Sequence, residues 1–110
     1  LILIEYMNNS STDRKQLEQF LGEQVQFEGL VVNTKCPSPS QRFICLRRLS
    51  VGKHSDSVRC HHLWLDVSGI TDLKFRLASW ITGTAYVTHY QRRDGSESYG
   101  ITEPSHLAVA

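Results

Sequence analysis

The segment His61-His62-Leu63-Trp64-Leu65-Asp66-Val67 alternates polar and apolar positions, which is the period of a strand buried on one face. Leu63, Leu65 and Val67 are expected to point inward, and His62, Trp64 and Asp66 outward. Working outward from it, the chain offers further strands on both sides. Phe43 to Val51 reads as the preceding strand, with Gly52 to Ser57 as the turn between the two. Which side of that strand faces out is open, because Phe43, Ile44, Cys45 and Leu46 are all apolar. Before it, Cys36-Pro37-Ser38-Pro39-Ser40 is expected to be a loop, since proline lacks the donor that a ladder needs. Gln24 to Glu28 alternates, and Leu30, Val31 and Val32 follow Gly29, so the first strand is expected to bend at that glycine.

Beyond Ser68-Gly69, residues 70–79 form a connector with room for one helical turn around Leu73, Phe75 and Leu77. Ile81, Gly83, Ala85 and Val87 alternate with Thr82, Thr84, Tyr86 and Thr88 as a fourth strand, whose small inward residues suit a tight barrel interior. Asp94-Gly95 is a hairpin signal of the kind that places positive φ at both central residues, and Glu97 to Ile101 is expected to pair back antiparallel until Pro104 ends it. Ser11, Thr12 and Asp13 supply capping side chains, and Leu17, Phe20 and Leu21 recur at helical spacing before Gly22, predicting a short helix over residues 12–21.

At 110 residues the chain has room for one core. The expected organisation is an N-terminal tail at 1–10 and a single domain at 11–110. Because Met7 is the sole methionine, residues 1–6 are read as vector-derived or upstream of a natural start. The Leu-Ile-Leu-Ile opening is far below the roughly 20 apolar residues that a membrane helix needs. Three cysteines do not make a disulfide framework, which points to a cytoplasmic setting. Net charge is only +1, yet Lys35, Arg42, Arg47, Arg48 and Lys53 fall in residues 35–53 with no acid among them.

Three strands, a connector and a two-strand hairpin make an order that resembles the OB fold of small nucleic-acid-binding barrels. His62-Leu63-Trp64-Leu65, then Ala85, Val87 and Tyr90, then Tyr99, Ile101 and Pro104 look like small OB-like proteins of bacteria, phages and plasmids. The likeness covers residues 17–107 and rests on structural positions. It departs from the usual pattern in lacking a full helix between the third and fourth strands. The resemblance implies a mainly β domain with a short N-terminal helix, folded as a five-stranded antiparallel β-barrel. Its usual ligand face would be strands two and three, flanked by loops at residues 35–42 and 91–97.

Trp64, His62, Phe43, Arg42, Arg47, Arg92, Arg93 and Lys35 are accordingly the candidate binding residues, an indole for stacking among cations for phosphates. The expected ligand is single-stranded nucleic acid. The alternative is a protein-interaction module or homodimer using the same aromatic face, and a small-ligand or oligosaccharide role has no sequence feature to weigh it. A zinc site is argued against by the lack of a Cys-x-x-Cys pair and by the expectation that adjacent His61 and His62 project to opposite faces. His62 and Asp66, about 13 Å apart along a strand, are too distant for a catalytic dyad. No motif calls for a cofactor or makes an enzyme of the chain.

Overall fold

A computed structural model describes residues 14–53 and 55–110. The described residues form five strands after a short helical stretch at residues 14–20. The expected tail at 1–10 and the capping residues Ser11 to Asp13 lie outside the described residues. Of the expected helix over 12–21, Arg14 and Lys15 are helical and lead into a 3-10 helix, Gln16–Phe20, without a side-chain cap. Leu17 and Phe20 are buried, but Leu21 leaves the helix, bridges to Val87 and is exposed. Gly22, at φ 79, ends the segment as expected.

Five strands follow: β1 Gln24–Ser38, β2 Gln41–Lys53, β3 Asp56–Asp66, β4 Trp80–Gln91 and β5 Glu97–Val109. They form one antiparallel sheet in the order β3-β2-β1-β4-β5, so β1 is paired on both sides. The core is drawn from every strand, including Val25, Phe27 and Val31 of β1, Ile44, Leu46, Leu49 and Val51 of β2, and Ile81, Ala85 and Val87 of β4. Leu63, Leu65 and Val67 join it, as their alternation requires.

Several expected boundaries are corrected, each because a bulge absorbs what was read as a stop. β1 runs through Cys36-Pro37 to Ser38, with Lys35 opposite Phe43 and Ser38 opposite Gln41; the irregularity between those pairs takes up the proline, whose missing N–H no partner needs. Pro104 likewise does not end β5. It lies in the shift between the pairs Tyr86–Thr102 and Thr84–Ser105, next to Glu103 at φ 52. The connector at 70–79 has no helical turn, because its polar backbone groups are used elsewhere. Ala78 N–H donates to the Val31 carbonyl, Ser79 carbonyl accepts from Val31 N–H, and the Arg42 guanidinium donates to the Ile70 carbonyl. The β4–β5 hairpin forms, but with positive φ at Gly95 alone; Gly95 N–H donates to Arg92 carbonyl, and Asp94 caps Ser96 through its carboxylate. Among the described residues no helix is long and apolar enough to cross a membrane.

Candidate functional site

A change of step in two neighbouring strands shapes the outer face. Along β2 the inward series is Ile44, Leu46, then Leu49, Val51; along β3 it is Cys60, then Leu63, Leu65. In both strands the spacing jumps from two to three at paired positions, with Arg47 opposite His62 and Leu49 opposite Cys60. Arg47-Arg48 and His61-His62 are therefore all left off the core. Arg48 takes a left-handed φ of 50 to make the step. On β1 the register shifts at the same level, between Glu28 and Leu30. Gly29 is what lets the strands approach there, since a Cβ on it would lie 3.1 Å from both Leu46 Cβ and Leu49 Cδ1.

Ladder partners share a face, so the registers place the side chains. Lys35, Phe43 and Asp66 form one outer row, Asn33, Cys45 and Trp64 the next, and Trp80, Leu30, Arg47 and His62 the third. The open question on β2 is thus answered: Phe43 and Arg47 lie on the side of Trp64. Trp64 is 42% exposed, and Lys35 Nζ lies 6.0 Å from its ring centroid, at the outer limit of a cation–π contact. Cys45, the partner of Trp64, is buried yet stands apart from the core cluster. Burial pushes its thiol pKa up, against the opposing pull of Arg47 and Arg14.

Three candidates are placed elsewhere. Arg42 is committed to the connector, through the Ile70 carbonyl and a position 5.1 Å from the Phe75 ring centroid. Arg92 donates to Ser98 Oγ at 3.1 Å, and Arg93 is exposed at the hairpin tip. Among the described residues none of these shares a hydrogen bond or ring contact with Lys35, Phe43, Arg47, His62 or Trp64.

The structure adds residues that sequence reading left out. Arg48 and His61 join Leu30, Val32 and Arg47 in lining a shallow groove of about 570 Å³. Arg14 donates from Nε and Nη2 to the His62 carbonyl, at 3.2 and 3.0 Å, and from Nη1 to the Tyr90 hydroxyl at 2.8 Å. His61 and His62 do not diverge, which corrects the expectation of opposite faces. Both follow the skip outward, their rings meet edge to face with centroids 4.8 Å apart, and their Nδ1 atoms are 2.7 Å apart.

No protein-family model, curated protein or solved structure matches this chain. The site is read from its own chemistry. Among the described residues the ion pairs are Lys53–Glu23 and His89–Glu97, so no described carboxylate pairs with Arg14, Lys35, Arg47 or Arg48. Asp66, at one end of this face, accepts from the backbone N–H and the hydroxyl of Ser68, and Glu28, exposed on β1, stands in the row of Ser50 and Arg59. Desolvation, reinforced by Arg14, His61 and Arg47, lowers the pKa of His62 from its ordinary 6.5. Among the described residues no group of three or more His, Cys, Asp or Glu side chains gathers to hold a metal. What the face offers is an accessible indole with permanent cations on two sides of it.

Proposed function

We propose that the chain is a non-enzymatic, OB-like barrel that binds single-stranded nucleic acid on the outer face of β1, β2 and β3. The observation that carries this reading is the exposed Trp64 ring, with Lys35 beside it and Arg47 diagonal to it, and with the acids Asp66 and Glu28 in other rows of the face. An exposed indole stacks on any base, worth about 1–3 kcal/mol per base, and nearby cations meet the phosphates without reading sequence. The small net charge of +1 puts the weight on this local cluster, not on the field of the whole molecule. A barrel is supported by β1 pairing on both sides and by the approach of the two outermost strands, β3 and β5. The three free cysteines suit a reducing, cytoplasmic setting.

The test is fluorescence anisotropy with labelled oligonucleotides across a salt series. With Z phosphate contacts, log K is expected to fall against log salt with slope about −0.7Z. Trp64→Ala is expected to weaken binding about five- to 150-fold. An intact protein that leaves oligonucleotides free at low salt would overturn the reading. Loss of a dimer on Trp64→Glu, seen by light scattering, would assign the face to self-association instead.

A further inference from the structure

The core accounts for a step at Arg48, because Leu49 has to turn inward over Gly29. It does not account for arginine there. At φ 50 a glycine or asparagine carries the same backbone with less strain, since left-handed backbone costs other residues about 1 kcal/mol or more. What arginine adds is a second guanidinium on the outer face, next to Arg47, above the apolar floor of Leu30 and Val32, with His61 at the rim. Two guanidiniums lining one groove give it a local positive potential that attracts an anion. Among the described residues no carboxylate takes that place. Arg47 is also the diagonal cross-strand neighbour of Trp64, a relation that puts the two about 7–8 Å apart, within the span of one nucleotide.

We infer that Arg47, Arg48 and His61 hold the phosphodiester adjoining a base stacked on Trp64, with Leu30 and Val32 beneath the neighbouring sugar and base. This phosphate subsite rests on the single-strand reading above. It makes the groove a second contact point, so one nucleotide unit is held by stacking at one end and by charge at the other.

The experiment is a salt series with labelled oligothymidylate on the wild type, Arg48→Gly and Arg48→Gln, with thermal melts of each. Both variants are expected to bind more weakly at low salt and to reduce the salt slope by about 0.7, the loss of one phosphate contact. Arg48→Gly is expected to keep or raise Tm, because glycine relieves the left-handed backbone. Trp64→Ala, run alongside, is expected to lose affinity with its salt slope retained. If either Arg48 variant folds and binds with wild-type affinity and slope, the phosphate subsite is overturned while the stacking face stands. If the wild type binds no oligothymidylate, the single-strand reading and the subsite fall together.

Discussion

On the outer face His62 is half-buried, and desolvation together with Arg14, His61 and Arg47 holds its pKa below 6.5. The unfolded chain takes up this proton near 6.5, and the folded chain resists it to lower pH. More protons bound on unfolding means that stability rises with pH in that window. The contribution is complete above about 6.5 and is lost as pH falls toward the folded value. Thermal melts are therefore expected to give a Tm that falls as pH drops below about 6.5, and His62→Gln to flatten that decline. An unchanged slope in the variant would assign the effect to another group. At this scale the sequence was informative where a residue's role depends on its own strand. Trp64 was legible as outward from period two alone. Arg42 was not, because its partners are Ile70 and Phe75 on a connector whose path no periodicity predicts. Arg14 was out of reach for the same reason, its partners lying 48 and 76 residues along the chain.

Among the elements, the β2–β3 hairpin is the one that shapes the face, and Gly52 controls its closure. A Cβ at Gly52 would run into the backbone of Asp56 and lie 2.6 Å from Ser57 Cα, atoms that cannot turn aside. Gly52→Ala is expected to cost more than about 2 kcal/mol in urea denaturation, whereas Gly69→Ala, with nothing within 4 Å, is expected to stay within about 0.5 kcal/mol. Equal effects at both would mean that the close approach is not structural. All five strands were readable, β1, β3 and β4 from alternation, β2 as an apolar run and β5 from the Asp94-Gly95 turn before it, and the bend at Gly29 from the glycine itself. The ends of β1 and β5 were not, since Pro37 and Pro104 stop a regular ladder but fit a bulge, and a bulge is set by the partner strand. The spacing of three in Ile44, Leu46, Leu49, Val51 and in Cys60, Leu63, Leu65 was present in the letters. Applying period two to each strand as a whole hid it, and with it Arg48 and His61.

Across the molecule, Arg14 joins the segment before the 3-10 helix to β3 at His62 and to β4 at Tyr90, strands that the sheet order separates. Arg14→Ala is expected to lower the unfolding free energy by about 1–2 kcal/mol with the urea m-value unchanged. Wild-type stability would show this tether to lie outside the cooperative unit. Such long-range ties decide how the sheet curls, which is why the strand inventory was legible and the full architecture was not. The matched skips in β2 and β3 carry an evolutionary consequence. Deleting Arg48 alone would slip β2 by one residue against β3 and turn every later side chain the wrong way. A simultaneous deletion of His61 would restore the pairing and leave a flatter sheet. Descendants of this sequence can thus shorten one strand only by shortening its neighbour.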